Sequence, residues 1–125
     1  WTVSQVLVAS DAGTSNFFGS AVAIDVEGST LVVGAPGAND GAATNAGQAY
    51  VFSRDGEGTG AWTQIAQLRP LGSGAQSNRF GASVAVGNGH IWIGEPGRDS
   101  GGTDAGAVHA YASGEEEGSE SAWTL

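Results

Sequence analysis

The chain has 125 residues, room for one ordinary domain. With 40% hydrophobic and 14% charged residues it reads as globular rather than disordered, and its 22 glycines follow no G-X-Y register, which excludes collagen. A formal charge of −9, from 13 acidic against 4 basic side chains, argues against a nucleic-acid partner, and no apolar run reaches the roughly 18 residues of a membrane-spanning helix. The acidity suits solubility or, on a sharper reading, cation binding. The absence of Cys removes disulfides and thiolate chemistry. Residue 1 is Trp and Met is absent, so the expectation is a processed product, a proteolytic fragment or an excised piece.

In chain order, residues 1–9 open with Trp-Thr and are expected as a strand. Residues 19–26 follow, with small residues alternating with Val and Ile, and then residues 30–35, a nearly continuous apolar run ending at Pro36-Gly37. Such a run suits a strand buried on both faces. Residues 48–53 and 62–69 complete the first set. Residues 81–86, 90–95 and 107–112 make the second, with the same double-faced burial expected for 90–95. Glu27-Gly28-Ser29, Gly87-Asn88-Gly89, Pro36-Gly37 and Pro96-Gly97 supply the turns. No segment carries a 3.6-residue period, so no helix is expected.

Self-comparison organises these strands. Trp1-Thr2, Trp62-Thr63 and Trp123-Thr124 recur every 61 positions. Phe18-Gly19-Ser20-Ala21-Val22-Ala23 matches Phe80-Gly81-Ala82-Ser83-Val84-Ala85 at an offset of 62. Leu31-Val32-Val33-Gly34-Ala35-Pro36-Gly37 matches Ile91-Trp92-Ile93-Gly94-Glu95-Pro96-Gly97 at 60, and Gly47-Gln48-Ala49-Tyr50-Val51-Phe52 matches Gly106-Ala107-Val108-His109-Ala110-Tyr111 at 59. Four short strands per unit of about 61 residues is the arithmetic of a propeller blade. Phe18-Gly19 with Val33-Gly34-Ala35-Pro36, and Phe80-Gly81 with Ile93-Gly94-Glu95-Pro96, resemble the FG-GAP repeat of integrin-type β-propellers. Glu95 departs from that pattern, where Ala is usual.

The fold class expected is therefore all-β: two four-stranded antiparallel blades, with residues 10–70 as the first, 71–125 as the second with a truncated fourth strand, and 1–9 completing a neighbouring blade. Phe18, Gly19, Phe80, Gly81, Pro36 and Pro96 are the expected blade-packing residues. A blade needs cover on both faces, so the ring is completed by other copies or by a longer parent. Three or four identical copies give six or eight blades, within the usual range of about 4–8. An unrelated capping partner is the third possibility.

The resemblance implies calcium in a loop between the first two strands. Here Asp25 and Glu27 are the carboxylates of that loop in the first unit, the second has none, and a plain hairpin turn is favoured over a cation site. The loops after Pro-Gly carry Asn39, Asp40, Asp99 and Asp104, as ligands of a cation or sugar or, by preference, as Asx-turns. Trp92 replaces Val32 and suits either the core or a sugar ring. The acidic run Glu115-Glu116-Glu117 with Glu120 reads as a solvated loop. His90 and His109 each match an ordinary residue in the repeat, and no nucleophile elbow, Walker loop or metalloprotease helix is present, so no enzyme is expected. The function expected is an extracellular or cell-surface structural and interaction module, of bacterial secreted type, with a protein or glycan ligand. A carbohydrate-binding propeller is the alternative, and an excised fragment without a ligand of its own the third.

Overall fold

A computed structural model of the chain describes residues 1–54, 60–70, 76–114 and 122–124; the acidic run at 115–120 lies outside them. Eight strands form among the described residues: β1 (Ala21–Ile24), β2 (Thr30–Ala35), β3 (Gln48–Ser53), β4 (Thr63–Leu68), β5 (Ser83–Gly87), β6 (His90–Glu95), β7 (Ala107–Gly114) and β8 (Ala122–Thr124). They make two antiparallel sheets, β1-β2-β3-β4 and β5-β6-β7-β8, stacked without closing a ring. No helix occurs among the described residues.

Local chemistry explains the boundaries. Asn88 (φ 49°) and Gly89 (φ 71°) both take left-handed conformations between the paired Gly87 and His90, the signature of a two-residue type I′ hairpin. The repeat is written in the backbone as well: Ser15, Phe17 and Gly19 have φ of 60°, 55° and 94°, and their counterparts Ser77, Arg79 and Gly81 have 66°, 59° and 89°. The first strand begins only at Ala21, two residues later than expected, because Gly19 and the Ser20-to-Phe17 turn still belong to this bend. Pairing of β3 with β4 slips between Val51 and Phe52, which face Ala66 and Gln64. Ile65 is the extra residue of a β-bulge, and it turns Gln64 and Trp62 to the opposite face from Ala66 and Leu68.

Alternation gives each sheet a front and a back. In the first sheet the front carries Val33, Tyr50 and Phe52, and the back carries Val32, Ala49 and Val51. The back packs on the front of the second sheet, where Phe80, Ile91, Ile93 and Tyr111 are buried. Fully burying such side chains is worth about 1.5–3 kcal/mol each, so this junction is the main source of cohesion between the units. The back of the second sheet is open: Trp92 is 40% and Val108 71% exposed.

One expectation needs correction here. Strand β2 is buried on both faces, but β6 alternates, with Ile91, Ile93 and Glu95 inside and His90 and Trp92 outside. Its outer face, with His90 and Trp92, lies on an uncovered side of the stack. Residues 1–9 form no strand. They lie across the front of the first sheet, where Gln5 exchanges two hydrogen bonds with the Trp62 backbone (3.1 and 2.9 Å) and Leu7 and Ala9 join the front cluster. Leu68, the counterpart of Leu7, packs on the second sheet in the same way.

Candidate functional site

The feature that both units build, and that only one has filled, is the junction between them. Phe80 enters it on a bend that Gly81 permits with φ 89°. Residues 77–80 run along 44–47: Ser77 N–H donates to Thr44 C=O (2.9 Å), Arg79 to Asn45 (3.0 Å) and Phe80 to Ala46 (2.8 Å). Gly47 and Phe80 form a parallel bridge. This approach requires bare backbone beneath it. A Cβ on Gly34 would stand 1.9 Å from the Gly81 carbonyl oxygen, and one on Gly47 would stand 2.0 Å from that of Phe80.

The buried Phe80 ring then meets His109 and Tyr111 edge to face, with centroids 5.2 and 6.5 Å apart. Phe18 repeats the arrangement on Tyr50 and Phe52, at 5.5 and 6.0 Å, but remains half-buried because no sheet covers it. The two Pro-Gly turns clasp the bends within each unit: Gly37 N–H donates to Asn16 C=O (3.1 Å) and Gly97 N–H to Asn78 C=O (3.0 Å). Phe18, Gly19, Phe80, Gly81, Pro36 and Pro96 therefore all belong to the bends and turns of the junction or its repeat.

The residue that departs from the repeat, Glu95, is wholly buried beside this junction. Its Oε1 accepts from Asn78 Nδ2 (2.8 Å), its Oε2 accepts from Arg98 Nη1 (3.2 Å), and His109 Nε2 lies 2.7 Å from Oε2. Burial pushes the Tyr111 hydroxyl pKa up, and the Glu95 charge adds to the rise. In the first unit the same place holds Ala35 and Tyr50, whose hydroxyl lies 2.7 Å from Asp11 Oδ1 and 2.9 Å from Gln48 Oε1. Burial, then the hydrogen bond and charge of Asp11, raise the Tyr50 pKa far above its ordinary value. Sequence reasoning missed the Glu95 cluster, although the joint change of Ala35 to Glu95 and Tyr50 to His109 between the repeats was a visible signal.

The expected ligand residues fall on the two rims of the stack. Asp25 Oδ1 accepts the N–H groups of Ser29 (2.8 Å) and Thr30 (3.2 Å), and Oδ2 accepts from Ser29 Oγ (3.2 Å). Burial raises its pKa, but the bonds from Thr30 and Ser29 outweigh this and hold it below the ordinary carboxylate value. Asp25 and Glu27 line a cleft of about 520 Å³ between the units, together with Arg54, whose guanidinium sits 4.7 Å over the Trp62 ring. Among the described residues, no three His, Cys, Asp or Glu side chains converge on a common point.

On the other rim, Asn39 Oδ1 accepts from Asn45 N–H (3.1 Å), and at the matching place Asp99 Oδ1 accepts from Asp104 N–H (2.8 Å). Asp40 pairs with Arg69 at 3.2 Å. Trp92 stands apart on the open back, stacked on His90 with centroids 5.7 Å apart. Its place is exposed, not core. Among the described residues, no helix is long and apolar enough to cross a membrane.

Comparison with known families matches the FG-GAP repeat to residues 1–52 and again to residues 62–111. Comparison with curated proteins gives no match. Both matched stretches start at Trp-Thr and end with the third strand of a sheet. The second one therefore opens with β4, which is hydrogen-bonded into the sheet of the first.

Proposed function

The chain belongs to the FG-GAP repeat family, and from that premise we propose that its two sheets are propeller blades in a non-catalytic interaction module that assembles head to tail into a closed ring. FG-GAP repeats generally occur in extracellular proteins and are typically non-enzymatic. The module presents its rim loops, at 36–46 and 96–105, to a protein or surface partner outside the cell.

One observation carries the reading. The open back of the second sheet repeats, position for position, the back of the first sheet that is buried at the junction. A blade with an uncovered apolar face calls for another blade. The phase of the repeat supports strand exchange. Just as β4 of the second matched stretch pairs into the first sheet, residues 1–9 serve a sheet ahead of it in this reading. In the second sheet β8 pairs only with Ala112–Gly114 of β7, so the β7 edge at 108–111 has no strand beside it among the described residues. Three copies make six blades and four make eight, within the usual range of about 4–8.

Native mass measurement tests this. The expected result is an assembly of three or four chains; a mass of 12.4 kDa, one chain, with a cooperative melt would overturn it. The measurement is repeated with calcium and with chelator, because Asp25 and Glu27 line a rim cleft. An assembly that needs calcium, and loses that need in Asp25→Asn, assigns that cleft to the cation.

Trp92 supports a second reading, a glycan-binding module, because an exposed indole offers a stacking surface for a sugar ring. The two readings place opposite demands on this residue. Assembly covers it, whereas glycan capture needs it free. Glycan-array binding that vanishes in Trp92→Ala, with the fold intact, would favour the second.

A further inference from the structure

Resting on the assembly reading above, we propose that the groove floored by Gly94 and Gly106 on the back of the second sheet is the docking site for the Phe18–Gly19 bend of a second copy of this chain. The occupant is identified by what fills the equivalent groove one unit earlier. There Gly34 and Gly47, the counterparts of Gly94 and Gly106, lie directly under the backbone of Phe80 and Gly81. The second groove has about 490 Å³, is lined by Ala82, Ser83, Ala105 and Val108 besides its two glycines, and holds no segment of the described chain. Its floor is already shaped: Gly106 has φ 79°, against 89° at Gly47.

The bend is shaped too. Ser15, Phe17 and Gly19 adopt, uncovered, the left-handed conformations that Ser77, Arg79 and Gly81 adopt when docked. Holding non-glycine residues at positive φ costs about 1–2 kcal/mol each, so this form is built in beforehand rather than acquired on docking. The hydrogen-bonding groups match as well. The N–H groups of Ser15, Phe17 and Phe18 have no partner among the described residues, and neither have the carbonyls of Thr103, Asp104 and Ala105. These are the counterparts of the three bonds that tie residues 77–80 to 44–46. Apolar flanks complete the fit. Trp92 and Val108 are exposed beside the groove, and Val22 and Ile24 are exposed beside the bend. Their counterparts Val32, Ala49, Val84 and Val86 meet at the internal junction. The contact is heterologous, since groove and bend lie on opposite faces of the chain, and so it propagates head to tail.

One difference between the grooves supplies the test. The atoms nearest a Cβ on Gly94 all belong to Ser83, its Oγ at 2.2 Å, its Cβ at 3.6 Å and its backbone N at 3.8 Å, so that only the Oγ is too close, whereas at Gly34 it meets the docked backbone at 1.9 Å. Ser83→Ala/Gly94→Ala therefore leaves the free chain unstrained and blocks only a docked one; Ser83→Ala alone is the control, with Ala21 as its natural counterpart. Sedimentation and native mass should show the parent and the control assembled, and the double variant weaker in association by at least about tenfold, or 1.4 kcal/mol, with the same melt as the control at concentrations where both are single chains. Phe18→Ala should weaken it from the other side. Mixing the Phe18→Ala chain with the Ser83→Ala/Gly94→Ala chain leaves one working bend and one working groove, so a two-chain species should form and grow no further. A double variant that assembles like the parent overturns this docking site while leaving the assembly reading standing. A parent that remains single-chained overturns both.

Discussion

Glu95 and His109 sit diagonally across β6 and β7, with Glu95 Oε2 2.7 Å from His109 Nε2 and both side chains buried. The first unit fills the same diagonal with Ala35 and Tyr50. The two pairs are alternative solutions for one space. Glu95→Ala strips the acceptor from Asn78, Arg98 and His109 and should cost on the order of 3 kcal/mol, as expected for stranded buried polar groups. Adding His109→Tyr rebuilds the pair of the first unit and should recover part of that loss. Urea unfolding of the four chains measures the coupling, and strict additivity would refute the idea that the pair acts as a unit.

Phe18 and Phe80 occupy one repeat position at different depths. Phe80 is fully buried between the sheets, so Phe80→Ala should cost about 3–5 kcal/mol. Phe18 is half-buried on the uncovered front, and Phe18→Ala should cost clearly less in the isolated chain. Equal losses in chemical denaturation would contradict the packing described for the junction.

The glycines divide by what lies above them. Gly34→Ala drives a Cβ into the Gly81 carbonyl at 1.9 Å and should separate the two sheets or unfold the chain. At Gly87 a Cβ meets nothing within 4 Å and the backbone needs no positive φ. Gly87→Ala should be neutral or stabilise by up to about 1 kcal/mol, through the unfolded chain. Thermal melts of the two variants side by side decide it.

The repeat made most of this architecture legible. Matching offsets located both copies of β2 and the start of both copies of the third strand, because each block carries its own turn chemistry. Burial was harder. An apolar run such as Ile91-Trp92-Ile93 looks the same whether one face or two are covered, and only the position of a sheet in the stack decides that. Residues 1–9 resemble β4 in sequence, but a strand needs a partner strand, and none of the described residues pairs with them. The Glu95 cluster draws on positions 78, 95, 98 and 109, which only the Pro-Gly turn and the β6–β7 pairing bring together.

Asp25 links turn geometry to acid stability. Its folded-state pKa lies below the ordinary value of about 3.9, because Thr30 and Ser29 donate to the ionised form. A depressed carboxylate contributes stability above its unfolded pKa and loses it as pH falls through the folded one. Asp25→Ala should therefore be less stable than the parent at pH 7, and the gap should close below about pH 4. A gap that holds constant through acid titration would show that the carboxylate charge is not what holds the turn.

The tyrosines carry the opposite sign. The chain has two, and burial is the first cause of a raised pKa in both, joined at Tyr50 by Asp11 and at Tyr111 by Glu95. A folded chain that keeps its phenol protons after the unfolded chain has released them loses stability as pH rises past the ordinary value of about 10. Absorbance of tyrosinate near pH 10–11 should therefore stay low while the fold persists and appear with the loss of tertiary signal. In Glu95→Gln the neighbouring charge is gone, so the Tyr111 share of that absorbance should emerge at lower pH while Tyr50 holds. Early, independent ionisation of both tyrosines in the parent would place them in water and refute the burial assigned to the two sheet fronts.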